Sequence, residues 1–177
     1  MANYTFLHPV GNAAYSQQFT LTATSTLAPL GLKIGAYDSN LGYAEFLYCR
    51  GVNGTSSANS GDWVLVSGGF NAAQANLVII AQSKGGQVGV AAGNLSNTNV
   101  YGWVQVYGMC DYAKGSNSSI AQDQPLLMWT NARVATSGTF ANAGIIGAWA
   151  GSSYTSSQSN SLTAFLNYPS LPYIRIT

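Results

Sequence analysis

The chain has 177 residues, of which only 6% are charged, with six Lys or Arg, five Asp or Glu and a formal net charge of +1. Soluble domains carry roughly 25% charged residues, so polarity here falls to 57 Ser, Thr, Asn and Gln side chains. A chain without clustered cations has no field to steer a polyanion, which excludes nucleic-acid binding. A chain that is 47% hydrophobic and 12% aromatic excludes charge-driven disorder.

Residues 1–29 predict an extended, mostly polar N-terminal arm, punctuated by Pro9 and Pro29. It begins without the basic and apolar regions of a secretory signal. Within it, Tyr4, Phe6, Leu7, His8, Tyr15 and Phe19 stand among Ser, Thr, Asn and Gln. They read as anchors for a partner surface, because aromatic side chains dominate interface energetics. Gln17 to Thr24 alternates, with Phe19, Leu21 and Ala23 on one face and three threonines on the other, the pattern of a half-buried strand.

Leu30 to Tyr37 and Tyr43 to Arg50 flank the turn-rich Asp38-Ser-Asn-Leu-Gly42, which predicts a hairpin. In its second strand Ala44, Phe46 and Tyr48 share one face, and Glu45, Leu47 and Cys49 the other. Both faces are largely apolar, as in a strand packed on two sides. Gly51 to Gly61 is a loop, followed by strands at Asp62–Val66, Leu77–Ile80 and Gln87–Ala92. Asn71 to Asn76 is the best helical candidate, though too short to stand alone. Tyr101 to Cys110 is the strongest strand, with Val104, Val106 and Gly108 opposite Trp103, Gln105 and Tyr107.

Further strands are predicted at Gln124–Thr130, Arg133–Thr136, Gly144–Ala150 and Ser161–Tyr168, with Pro169 ending the last. No apolar run nears the ~20 residues of a membrane-spanning helix. No motif recurs at a fixed period. Short strands separated by Gly-rich turns define an all-β protein, an antiparallel β-sandwich or barrel with an extended N-terminal arm. The expected organisation is the arm, 1–29, and a β domain, 30–177.

Catalytic chemistry finds little support. His8 is the only histidine, and it sits in the arm, away from any base–nucleophile arrangement. The acids Asp38, Glu45, Asp62, Asp111 and Asp123 fall mostly at turns and strand ends. No spacing matches a zinc, calcium or phosphate-binding motif, so no metal or cofactor is expected. Cys49 and Cys110 lie in apolar strands and read as buried thiols. Trp103, among valines, reads as core.

Four segments resemble the capsid decoration (cement) proteins of tailed phages. They are Gly42-Tyr-Ala-Glu-Phe-Leu-Tyr-Cys-Arg-Gly-Val52; Ser60-Gly-Asp-Trp-Val; Val88-Gly-Val-Ala followed by Tyr101-Gly-Trp-Val-Gln-Val-Tyr-Gly108; and Ala164-Phe-Leu-Asn-Tyr-Pro169. The resemblance covers about residues 30–169 and is most specific at Tyr101–Gly108. It implies a non-enzymatic virion protein on the outer capsid surface, often trimeric, that binds neighbouring major capsid proteins together. The aromatic arm suits that role. A lectin-like carbohydrate-binding β-sandwich of a phage fibre or surface protein is the alternative, prompted by the aromatic, neutral-polar composition. A small hydrolase using Asp62 or Asp111 is the third.

Overall fold

The computed structural model describes residues 4–6, 22–75, 86–116, 119–128, 133–135, 144–155 and 161–171. Among these residues run eleven strands: β1 (Thr5–Phe6), β2 (Lys33–Asp38), β3 (Gly42–Arg50), β4 (Trp63–Val66), β5 (Ala72–Gln74), β6 (Gln87–Ala91), β7 (Tyr101–Lys114), β8 (Pro125–Met128), β9 (Val134–Ala135), β10 (Gly144–Ala150) and β11 (Ser161–Ser170). A 3₁₀ turn, Gly54–Ser56, lies in the loop after β3.

Asp38 sets the first reversal. Its Oδ1 accepts from the backbone N–H of Asn40 at 2.8 Å and of Leu41 at 3.0 Å, the local bond that makes Asp a turn residue. Gly42 follows at φ +79°, a conformation free of penalty only without a Cβ. β2 and β3 then pair from Asp38↔Gly42 to Lys33↔Leu47, which is the expected hairpin.

The long strand β7 is the hub. It pairs with β3 over Tyr101–Tyr107, with β6 at Val104 and Gln105, and with β11 over Tyr107–Lys114. The sheet order is β1-β2-β3-β7-β6-β11-β10-β8-β9, with β4 on β6 and β5 on β4. Each pairing of named strands is antiparallel. One parallel bridge, Arg50–Asn71, links the end of β3 to the start of β5.

Both faces of the central strands are buried, as the apolar residues on both faces of β3 predicted. Phe46, Tyr48, Trp63, Val88, Val90 and Trp103 belong to the larger apolar cluster. Their neighbours in sequence, Leu47, Cys49, Val64, Ala91 and Val104, belong to a second, smaller one. A period of two sends successive side chains to opposite faces, so β3, β4, β6 and β7 each feed both clusters. Each large side chain fully removed from water contributes about 1.5–3 kcal/mol, and Trp63 and Phe46 are completely buried.

The structure departs from the sequence expectations in several places. Residues 72–74 form β5 rather than a helix, because the edge of β4 supplies backbone partners that so short a helix would lack. β11 runs through Pro169 to Ser170. Ile146 pairs with Ser170 and Ala148 with Leu166, leaving a bulge in which Tyr168 has φ +47° and Gly147 φ +82°. Pro169 sits inside that bulge, where no ladder N–H is needed. β7 continues to Lys114, four residues past the expected end, because a bulge at Val106 re-aims it instead of stopping it.

The described parts of residues 1–29 lie on the sheet. β1 pairs with β2 through Thr5↔Tyr37 and Phe6↔Ala36, Ala23 exchanges two backbone hydrogen bonds with Tyr101, and Ala28 is buried in the larger cluster. The predicted strand at Leu77–Ile80, the tail from 172 and most of Gln17–Thr24 lie outside the described residues.

Candidate functional site

Gly108 is the local feature from which the site is built. It has φ +90° and lies against the backbone of Tyr43 and Ala44. Two residues before it the ladder with β3 carries a bulge, between Gln105 and Tyr107, and the buried glutamine beside that bulge binds two backbone carbonyls. Gln105 Nε2 donates to the carbonyls of Tyr107 at 3.2 Å and Met109 at 2.9 Å. Its Oε1 accepts from the Tyr112 hydroxyl at 2.9 Å. The Tyr4 hydroxyl also donates to the Met109 carbonyl. A buried polar group needs such partners, since an unmet one costs about 1–3 kcal/mol. Burial, foremost, raises the Tyr112 and Tyr4 phenols well above their ordinary range, so both stay protonated donors.

Past the bulge, one face of the sheet carries a row of exposed aromatic rings. Tyr43 on β3 meets Tyr107 on β7 at a centroid distance of 6.0 Å. Tyr107 meets Tyr168 at 5.2 Å and Phe165 at 6.3 Å, both on β11. Phe165 meets Trp149 on β10 at 6.2 Å. Tyr43, Tyr168, Trp149 and Phe165 are 36–42% exposed. Tilted and edge-on pairs of this kind add about 0.5–1.5 kcal/mol each beyond area burial, so the rings brace one another while staying open to solvent.

Glu45 anchors the β3 end of the row. Its Oε1 accepts from the Tyr43 hydroxyl at 3.0 Å, and its Oε2 stands 3.9 Å from Lys33 Nζ. Lys33 Nζ in turn lies 4.6 Å from the centre of the Tyr168 ring, within cation–π range. Partial removal from water, and then the Glu45 carboxylate, push the Tyr168 phenol up to about 12 and raise that of Tyr43. At the other end the face opens into a hollow of about 470 Å³ lined by Met109, Asp123, Trp149, Ala150, Gly151 and Phe165. Asp123, exposed at φ +62°, is held at the rim by its N–H, which donates to the Ala150 carbonyl at 2.8 Å.

Of the six residues predicted to anchor a partner, Leu7, His8, Tyr15 and Phe19 lie outside the described residues. Phe6 supplies the backbone pairing of β1. Tyr4 is turned into its own chain, its ring edge-on to Phe46 at 5.3 Å. Trp103 is core, as expected. Cys49 and Cys110 are free and buried, one in each cluster, and burial pushes both thiols up to about 12.

Asp62, the hydrolase candidate, is 2% exposed and has its acceptor atoms occupied. Its oxygens accept from Lys114 Nζ at 2.6 Å, the Asn59 N–H at 2.8 Å and Gln74 Nε2 at 3.2 Å. It ties β4 to β7 and faces no open site. Among the described residues, no group of three or more His, Cys, Asp and Glu comes together to hold a metal.

The aromatic row was not foreseen. One signal for it exists in the sequence. Ser161, Thr163, Phe165 and Asn167 share a strand face that is polar but for one ring, and a large apolar side chain on a polar face is what marks an interaction surface. No protein-family model matches the chain, and no curated protein matches it.

Proposed function

We propose that this chain is a structural, non-enzymatic virion protein that coats the outer surface of a tailed-phage capsid, as a homotrimer, and cements neighbouring major capsid proteins. One observation carries the reading: the resemblance to decoration proteins falls on neighbouring strands of the sheet. Its segments make up β3 and parts of β4, β6, β7 and β11, which are hydrogen-bonded to one another. They are the framework on which the rest of the chain is hung, and such a framework persists while loops vary.

The composition supports the same reading. A surface with six cations and five acids in 177 residues leaves few charges to desolvate on docking, and contacts made without ions are insensitive to salt. The framework reads as a barrel around the smaller cluster, because the Arg50–Asn71 bridge returns β5 to β3. That bridge is reinforced by the Arg50 N–H donating to the Phe70 carbonyl and Arg50 Nε donating to Asn71 Oδ1, both at 2.9 Å.

The test is co-sedimentation of the purified protein with expanded capsids that lack their decoration protein. Saturable binding, in copies matching the capsid's local threefold axes and persisting at 0.5 M salt (on the order of a 4 Å Debye length), is the expected result. Absence of binding overturns the reading.

A further inference from the structure

We propose that the aromatic row, from Tyr43 through Tyr107 and Phe165 to Trp149 and the hollow beside it, binds an uncharged hexose-based glycan. This inference stands apart from capsid attachment and adds a second activity on one face of the same domain.

Three features argue for this occupant. The first is charge. Lys33 and Glu45 lie 3.9 Å apart and offset each other, leaving Asp123 as the charge at the hollow. A polyanion finds no cation cluster here, and a polycation meets only one carboxylate. The occupant is therefore neutral.

The second is shape. The rings of the row follow one another at 6.0–6.3 Å across four antiparallel strands, comparable to the length of one pyranose unit in an extended chain. Pyranose rings present a C–H face that packs on an aromatic ring, and their hydroxyls point outward around the edge. Polar groups stand among the rings to meet them: Glu45, Thr163 and Asn167 on the same strands. The rows of rings and polar groups arise from the strand period itself, since i and i+2 share a face.

The third is the hollow. At about 470 Å³ it falls inside the ~300–1,000 Å³ of small-ligand sites. Trp149 and Phe165 form an apolar wall, and Asp123 supplies an acceptor for hydroxyl groups. Gly151 lets the Met109 side chain pack against its backbone on the floor of the hollow, since a Cβ there would lie 2.6 Å from Met109 Cε.

The experiment titrates the intact protein with malto-, isomalto-, cello-, laminari- and mannohexaose, followed by calorimetry and tryptophan fluorescence. At least one is expected to bind. Trp149→Ala is expected to weaken that oligosaccharide about tenfold or more through loss of the stacking ring. Asp123→Asn, on an exposed turn where folding is not at stake, is expected to weaken it about tenfold through loss of a charged acceptor. No binding by any of the five overturns the proposal, as does binding that neither variant changes. An oligomer that Trp149→Ala dissociates overturns it too, because a second copy then covers the row. Trp149→Ala protein that no longer binds expanded capsids overturns it in favour of the shell. If neither wild type nor variant binds capsids, the capsid reading fails and the glycan titration still decides this one.

Discussion

Replacing Gly108 by alanine tests whether the close approach of β7 to β3 just past the bulge is held by sterics. The residue has φ +90°, so alanine meets the left-handed penalty of about 1–2 kcal/mol. The new Cβ would also press on the Tyr43 carbonyl oxygen and approach Ala44 Cα to 2.9 Å. Both are backbone atoms of a paired strand and cannot swing aside, so overpacking adds about 1–3 kcal/mol. Gly42 provides the control. It has φ +79° but nothing within 4 Å of its would-be Cβ, so Gly42→Ala isolates the conformational penalty. Urea unfolding followed by tryptophan fluorescence measures both. Gly108→Ala is expected to lose about 1–3 kcal/mol more than Gly42→Ala, a large share of the ~5–15 kcal/mol that holds a domain together. Equal losses would refute the steric account and leave only backbone preference.

Tyr4→Phe removes one donor to the Met109 carbonyl while Gln105 keeps the other, so about 1 kcal/mol is expected in the same assay. Asp62→Ala leaves Lys114 without its partner; with Lys114 26% exposed and able to reach water, about 2–3 kcal/mol is expected by thermal unfolding, at the low end for a buried pair. Cys49 and Cys110 are expected not to react with a thiol reagent at pH 8 until the protein is unfolded in urea. Their folded pKa values, pushed up to about 12 from 9.0, mean the native state holds these protons more tightly than the unfolded one. Their contribution to stability is then full below about pH 9 and lost as pH rises towards 12, which a series of unfolding curves from pH 7 to 11 reads directly.

Fold class was legible because the strands obey a period of two. The opposed sets Ala44/Phe46/Tyr48 and Leu47/Cys49 landed in separate clusters as read, and the Asp38 turn closed its hairpin. What escaped were positions where the backbone leaves the period. Nothing at Val106 or Tyr168 announces a bulge, because a bulge is selected by the partner strand and not by local propensity. Pro169 looked like a stop for the same reason. The site escaped with the bulges. Tyr107 shares its expected face with Trp103 and Gln105, both buried, and the bulge beside it brings it into the exposed row. Tyr4 shows the same context dependence from the other side: its segment has only a weak strand signal of its own, yet its ring and hydroxyl are drawn into the sheet by Phe46 and Met109.

The position of β11 has a consequence in time. The last described strand lies not at an edge but beside β6, β7 and β10, joining residues near 165 to partners near 88, 109 and 149. A chain still being synthesised past β10 therefore has an open seam down its middle, with strand edges unpaired. Such non-local closure folds slowly and exposes those edges to other chains meanwhile. Assembly into a native sheet waits for β11. A nascent chain held short of Ser161 should remain protease-sensitive, and one extended beyond Ser170 should become resistant in a single step.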